Sequence, residues 1–318
     1  MQRRDFLKIF SAGSVAALST QLIWRPGANA EVVLLEDINA SPRELAKSIQ
    51  YMTTPPPDIH AWLEDFAQHE VVASTTPAPN MSQYLEKMRD FDSHDSKDVM
   101  LEPERYPLLV NTFKRLDRVQ NLVGHGNFNI VSFDEMVSYG KQYASVGEFT
   151  PQELAFIDEL FSEEASRYGF FGEKVTARLT EKVSDKDRVK VRGTGHFLFR
   201  GDSETFYQKL RKDMGSSIVL TSGIRSVVKQ THLFLAKTIQ SKGNLSRASR
   251  SLAPPGHSFH GVGDFDVGKV GFGSRNFTAD FAETPEFKKL VDLGYVNIRY
   301  PKNNLLGVRY EPWHIKVV

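Results

Sequence analysis

The stretch PGHSFHGVGDFDVG, residues 255–268, decides how the C-terminal half of this chain is interpreted. It places two histidines and two aspartates among four glycines. Glycine lets the backbone take turns that other residues resist and lets it pass close to a ligand. The stretch therefore predicts a polar site built on turns, which a plain apolar core would not need.

A second polar string, EPWH at residues 311–314, puts a carboxylate three residues before a histidine. Zinc hydrolases commonly use three nitrogen or oxygen protein ligands and keep a fourth position for water. The chain contains no cysteine, so any metal must be held by histidine and carboxylate side chains. We predict a Zn2+ site made of a histidine and an aspartate from residues 255–268 together with His314, with Glu311 as the general base.

A third segment, TSGIRSVVKQ at residues 221–230, places Arg225 after a predicted strand at a glycine turn. An arginine in such a position can stabilise the oxyanion that develops when a carbonyl is attacked. The alternative is a salt bridge on a helix face, because exposed arginine pairs are common. We predict the catalytic role for Arg225.

These segments together resemble the zinc D-alanyl-D-alanine carboxypeptidase and dipeptidase family, the LAS-type peptidases that include vancomycin-resistance D,D-carboxypeptidases. The residues that match the family pattern are Ser222, Gly223, Arg225, Ser226, Gln230, Ser258, His260, Gly263, Glu311, Trp313 and His314. Residues 298–301, IRYP, also resemble a strand and turn that the family places before its glutamate. The resemblance covers about residues 217–318. It implies His260, the motif aspartate and His314 as zinc ligands, Glu311 as base and Arg225 as transition-state stabiliser.

One departure from the family pattern concerns the carboxylate ligand. The segment between His260 and Asp266 is one residue shorter than in the family, and Phe265 stands where a small residue is usual. The ending FDVG favours Asp266, because the family aspartate is also commonly followed by Val and Gly. Asp264 stays a competitor, since in an extended strand both acids face the same side.

Three further residues are predicted to bind substrate. Ser258 lacks the elbow motif of a serine nucleophile, so we expect it to orient the loop or to bond the substrate. Gln230 either bonds the substrate or faces solvent, and Trp313 packs as a wall beneath the site. His257 is interpreted as substrate-facing or structural.

The composition excludes some classes of partner. The sequence has 318 residues, with 40 Lys plus Arg against 39 Asp plus Glu. There is thus no bulk charge to attract nucleic acid, and we expect no nucleic-acid partner. A chain of this length is long enough for two domains behind a leader.

The two halves of the chain follow different patterns. Residues 41–180 show helical periods, with helix-start motifs at residues 41–44 and 150–153. We predict an all-helical domain of unknown role over residues 31–180. Loops are expected at residues 75–79 and 91–98. Residues 181–318 mix helical segments with β-type runs at 189–191, 217–223, 296–300 and 314–318. We predict an α+β fold, a LAS-type zinc peptidase domain with a small antiparallel sheet and helices, preceded by the helical domain.

The first thirty residues are typical of an export signal. The string RRDFLK at residues 3–8 resembles the twin-arginine signal of bacteria, and an apolar run and the small residues ANA at 28–30 follow it. The run is too short and too polar to span a bilayer permanently. We expect cleavage after Ala30, export by the twin-arginine (Tat) machinery, a periplasmic location and no integral membrane segment in the mature chain.

The sequence thus predicts a zinc peptidase of D,D-carboxypeptidase type that acts at the D-alanyl end of peptidoglycan stem peptides. One alternative is an endopeptidase that cuts a peptidoglycan cross-link with the same chemistry. Another is a catalytically silent protein that binds the cell wall.

Overall fold

Residues 81–318 are the part of the chain that the computed structural model describes. Three predicted features lie outside these residues: the export signal, the helix start at residues 41–44 and the loop at residues 75–79. The boundaries of the predicted domains stay a prediction.

The regular elements between residues 81 and 180 are helices, as predicted. The α-helices in this part are α1 Met81–Arg89, α2 Tyr106–Val123, α3 His125–Phe128, α4 Phe133–Gln142 and α5 Pro151–Ser162. Helix α5 begins at the predicted motif, because the Thr150 hydroxyl accepts from the Glu153 amide at 3.2 Å and the Glu153 carboxylate accepts from the Thr150 amide at 2.8 Å. This reciprocal pair satisfies amide groups that the first turn of a helix leaves open. Residues 91–98 form the predicted loop.

The remaining residues combine helices with two small antiparallel sheets, and the predicted α+β class is confirmed. The α-helices are α6 Asp202–Met214, α7 Val227–Gln240, α8 Leu245–Ser249 and α9 Pro285–Asp292. The strands are β1 Arg188–Lys190, β2 Phe197–Phe199, β3 Ile218–Ser222, β4 Phe265–Lys269 and β5 His314–Ile315. Within residues 81–318, no helix has the length and apolar character needed to cross a membrane.

The sheet that positions the polar residues has the order β3, β4, β5, with both pairings antiparallel. Strand β4 lies in the middle, and its Asp266 is opposite Ser222 on one side and His314 on the other. Strand β3 shifts register between Leu220 and Ser222, which marks an irregularity where the strand leads into the turn at Gly223.

Two of the predicted strands are shorter than expected. The run at residues 296–300 forms only an isolated bridge between Ile298 and Ile315, and the run at 314–318 pairs only over β5. The Val317 amide donates to the Asp264 carboxylate at 2.8 Å, so a side chain takes the donor that a neighbouring strand would have used. Strand β5 therefore ends at Ile315.

Two apolar cores support this arrangement. One lies under the sheet, where Phe265, Val267 and Ile315 pack with residues of α6 and α9. The other joins helices α2, α4 and α5 to α7, through side chains such as Leu116, Phe156, Phe234 and Leu235. Helix α7 is buried along nearly its whole length. Helices α2, α4 and α5 therefore share a core with α7, which follows the turn that carries Arg225.

A buried arginine fastens the loop at residues 91–98 to the C-terminal half. Arg250 is 1% exposed, and its guanidinium donates to both carboxylate oxygens of Asp98 at 2.7 and 3.1 Å. It also donates to the carbonyl oxygens of Phe91 at 2.8 Å and Ser93 at 2.6 Å. A buried charge with this many partners becomes costly when a partner is removed.

We expect Arg250→Ala to lower the free energy of unfolding by about 3–5 kcal/mol, because the buried Asp98 carboxylate would lose its two hydrogen bonds from Arg250 and keep only Lys87, at 3.2 Å, as a cationic partner. The matched control is Arg167→Ala, since Arg167 is 59% exposed where it pairs with Glu163. That change should cost less than about 1 kcal/mol. Urea unfolding of both variants measures the difference, and equal small losses would show that the Arg250 contacts carry little stability.

Candidate metal centre and active site

His260 lies in the short 3-10 turn Phe259–Gly261, directly before β4, and is buried. Its Nδ1 is 2.8 Å from the carbonyl oxygen of Gly223. A carbonyl only accepts, so Nδ1 carries the proton and Nε2 keeps its lone pair. Burial, with Arg225 nearby, lowers the pKa of His260 and favours this neutral form.

Asp266 presents one oxygen to the histidines and the other to an arginine. Its Oδ1 lies 3.3 Å from His260 Nε2 and 3.4 Å from His314 Nδ1, and its Oδ2 accepts from Arg225 at 2.7 Å. Although burial opposes ionisation, His260 and Arg225 lower the pKa of Asp266 to about 2, so the carboxylate is charged.

His314 is held by a carboxylate on its far side. Its Nε2 lies 3.1 Å from Asp264 Oδ2, so Nε2 donates and Nδ1 faces Asp266. Burial alone would lower the pKa of His314, but the carboxylates of Asp264 and Glu311 raise it to about 9. The position at Nδ1 thus strongly favours a positive charge, which a proton or a metal ion can supply.

The three side chains form a cluster with the composition of a metal site. One donor atom from each of His260, Asp266 and His314 lies within 4.8 Å of the others, and all three residues are buried. His260 Nε2 and Asp266 Oδ1 are buried atoms without a hydrogen bond to any described residue. Two lone pairs that face each other in a buried place are costly unless a proton or a metal ion lies between them. Two imidazoles and one carboxylate are a donor set that suits zinc.

Asp264 lies behind the cluster. Its carboxylate accepts from Arg299 at 2.8 and 3.2 Å and from the Val317 amide at 2.8 Å, besides facing His314 Nε2. Metal-binding histidines commonly donate their second ring nitrogen to a carboxylate, which fixes the ring and the tautomer. The structure brings Asp266 to the donor cluster and gives Asp264 this supporting position.

Glu311 and Arg225 border the cluster from different loops. Glu311 Oε2 lies 3.5 Å from His314 Nδ1, and the Glu311 amide donates to the Tyr300 carbonyl at 3.0 Å. Arg225 donates through Nε to the Ser222 hydroxyl at 2.9 Å and through Nη2 to Asp266. The salt bridge considered for Arg225 therefore exists, but it is made to Asp266 in the site and not on a helix face.

Two of the residues predicted to bind substrate lie elsewhere. Gln230 is 1% exposed on α7 and donates to the Ala253 carbonyl at 2.5 Å, so it holds the start of the His260 loop. Trp313 is 3% exposed and packs in the core under the sheet, because β5 turns it away from His314. Both side chains are buried, and the substrate-binding roles expected for them stay predictions.

The other two loop residues keep different positions. Ser258 precedes the turn of His260, and its carbonyl accepts from the Gly261 amide at 2.9 Å. His257 lies 3.2 Å through Nδ1 from the Glu173 carbonyl and packs edge-on against Phe170, which is the structural alternative stated for it.

The sequence did not identify three contributors to the site. The support of His314 by Asp264, the clamp of Arg299 on Asp264 and the ring of Tyr300, 5.0 Å from the His314 ring, all join distant segments. The IRYP string at residues 298–301 contains Arg299 and Tyr300, but its resemblance to a strand and turn does not indicate these contacts. Gly223 is also required, because a Cβ there would lie 2.0 Å from the Phe197 carbonyl oxygen.

Comparisons with known proteins give one family for part of this chain. Residues 202–318 match the family described as VanY: D-alanyl-D-alanine carboxypeptidase. This match covers only the C-terminal part of the chain. The VanY-type domain contains every residue assigned here to the cluster, and it makes the protein a metallopeptidase.

A solved structure similar to this chain is a mutant of the vancomycin resistance D,D-pentapeptidase VanY from a VanB-type resistance cassette, in complex with Zn(II). The two chains are 22% identical, and the match covers 41% of this chain and 78% of that chain with a TM-score of 0.34. Among curated proteins, no sequence matches this chain.

The two aspartates give a test of the geometry. We expect Asp266→Asn to abolish stoichiometric zinc binding, because it removes the charge of a donor in the cluster. Asp264→Asn should weaken zinc binding by about 10–100-fold without abolishing it, since it acts through His314. Zinc content and competition with a chelator measure both effects, with the exposed Asp292→Asn as control. Complete loss in Asp264→Asn with full retention in Asp266→Asn would reverse the assignment.

Proposed function

We propose that this protein is a zinc-dependent peptidase that hydrolyses a peptide bond at the D-alanyl end of peptidoglycan stem peptides. The observation that carries the proposal is the buried cluster of His260, Asp266 and His314, with two lone pairs unpaired and Glu311 beside it. The family description of residues 202–318 supports the substrate class.

The chain itself would hold and orient the cation. His260 offers Nε2 because Gly223 takes its other nitrogen, and His314 offers Nδ1 because Asp264 takes its other nitrogen. Asp266 offers Oδ1 because Arg225 occupies Oδ2. Zinc bound there supplies a Lewis acid for the scissile carbonyl and lowers the pKa of the attacking water.

Glu311 is positioned for proton transfer. In hydrolysis, water adds a hydroxyl to the carbonyl carbon, the carbon–nitrogen bond breaks, and the leaving amine takes a proton. Glu311 would accept the water's proton and deliver it to that amine. Its carboxylate is next to the cluster, within 3.5 Å of His314 Nδ1, which is where such a base is needed.

Arg225 is proposed to stabilise the developing oxyanion. Its guanidinium is fixed by Ser222 and Asp266, so its orientation is set before substrate binds. A donor that needs no reorganisation during the reaction is more effective than a mobile one. The same contacts keep the charge of Asp266 compensated in a buried place.

We expect Glu311→Gln to retain zinc while lowering kcat by about 10²–10⁴-fold, because the base is lost and the ligands remain. Mass spectrometry of muropeptides measures turnover, with and without a chelator, and metal analysis measures zinc. The exposed Glu283→Gln is the matched control and should behave as wild type. Substantial activity in Glu311→Gln would contradict the mechanism.

The products in this assay also separate the kinds of peptidase. Release of a terminal D-alanine identifies a carboxypeptidase, whereas conversion of cross-linked dimers to monomers identifies an endopeptidase. No hydrolysis by the zinc-loaded protein would instead support the silent wall-binding alternative.

We further propose that the protein is exported by the twin-arginine route to the periplasm, on the basis of the RRDFLK and ANA strings at residues 3–8 and 28–30. The double variant Arg3→Lys, Arg4→Lys should accumulate as an uncleaved precursor in the cytoplasm, because the paired arginines are what the route reads. Cell fractionation and the mass of the N-terminus measure this. Unchanged export of the double variant would exclude the route.

A further inference from the structure

The loop at residues 300–311, which carries Glu311, is closed on itself. The Glu311 amide donates to the Tyr300 carbonyl at 3.0 Å, which joins its two ends. Inside the loop, the Asn304 amide group donates to the carbonyls of Pro301 and Val308 at 2.8 and 2.9 Å. The position of the Glu311 carboxylate thus follows from the backbone of this loop.

A tyrosine from α1 holds the outer turn of this loop. The Tyr84 hydroxyl accepts from the Gly307 amide at 2.8 Å and donates to the Asn304 carbonyl at 3.2 Å. Tyr84 is 9% exposed, and Leu85 and Met88 of the same helix are buried with it against Leu305. One hydroxyl therefore satisfies two backbone groups of the loop that carries the proposed base.

A second contact comes from the residues that follow α1. The Phe91 ring lies 4.7 Å from the Arg309 guanidinium, which also lies 4.9 Å from the Trp313 ring and donates to the Phe277 carbonyl at 3.0 Å. The Phe91 carbonyl accepts from Arg250, and the Arg250 carbonyl accepts from the Arg309 amide at 2.9 Å. Residues 81–98 thus contact the loop at its outer turn and again two residues before Glu311.

From these contacts we propose that residues 81–98 act as a strap that positions Glu311, with Tyr84 as its principal positioning residue. The proposal rests on the proposed function, in which Glu311 is the base. The Glu311 carboxylate is 3.5 Å from His314 Nδ1, beyond the usual length of a hydrogen bond, so its placement depends on its backbone. Displacement of a catalytic group by about 1 Å can cost 10²-fold in rate.

Through the strap, residues 81–98 would contribute to catalysis. It lies upstream of residues 202–318, the region that matches the VanY family. The contacts of Tyr84 and Phe91 are to residues 304–309, which belong to that region. Residues 81–98 therefore have a role in the site, because they complete the support of the loop that carries Glu311.

The test is Tyr84→Phe in the full-length, zinc-loaded protein, because it removes the hydroxyl and keeps the packed ring. We expect kcat on muropeptides to fall about tenfold, with KM changed less than about twofold and zinc content unchanged. Amide hydrogen exchange at Gly307 and Glu311 should accelerate at the same time. The control is Tyr143→Phe, since Tyr143 is 43% exposed and loses the same hydroxyl.

Two results would overturn the strap: kcat and exchange like those of wild type, or a loss of zinc that accounts for the loss of activity. If Tyr84→Phe does not fold, Phe91→Leu carries the same test, because it removes the ring that faces Arg309 and keeps apolar volume. If the wild-type protein hydrolyses no muropeptide, the proposed function fails, and the exchange measurement alone decides whether the strap orders the Glu311 loop.

Discussion

The register of β4 between β3 and β5 is the constraint on which the site depends. It places Asp266 opposite both Ser222 and His314, while Phe265 and Val267 on the other face are fully buried in the core under the sheet. A slip of one residue would exchange these faces, turning two apolar side chains out and a carboxylate into the core. Core packing therefore fixes which aspartate meets the histidines.

The contacts around the cluster orient its donor atoms toward a shared cation position. Each histidine has one ring nitrogen committed to a fixed acceptor, Gly223 for His260 and Asp264 for His314, so the other nitrogen faces Asp266. Such outer contacts orient ligands and raise their basicity. Burying these lone pairs is costly without a positive charge, and the bound ion offsets that cost. The site and its ion thus stabilise each other.

Sequence reasoning succeeded where the signal is local. The capping box of Thr150 and Glu153 depends on residues three apart, and the structure shows the predicted helix there. The histidine and glutamate strings depend on short spacings, and the structure brings their side chains together. The family of residues 202–318 confirms the resemblance those strings carry.

Sequence reasoning was less successful where the position of a side chain depends on residues far apart in the chain. Gln230 and Trp313 match a family pattern, yet their side chains are buried, because the packing of α7 and β5 decides which way they point. Strand β5 is short because the Val317 amide donates to the Asp264 carboxylate. These two residues are far apart in the sequence, so no local motif indicates their contact. Arg250 and Tyr84 each act on segments more than a hundred residues away along the chain, so neither carries a local signal.

The central claim is that one zinc ion binds among His260, Asp266 and His314. The most direct measurement is a crystal structure of the zinc-loaded protein with anomalous diffraction data collected on both sides of the zinc absorption edge. The account predicts one strong anomalous peak, bounded by His260 Nε2, Asp266 Oδ1 and His314 Nδ1, with Asp264 outside the coordination shell. A peak coordinated by Asp264 in place of Asp266, or absent from this cluster, would contradict it.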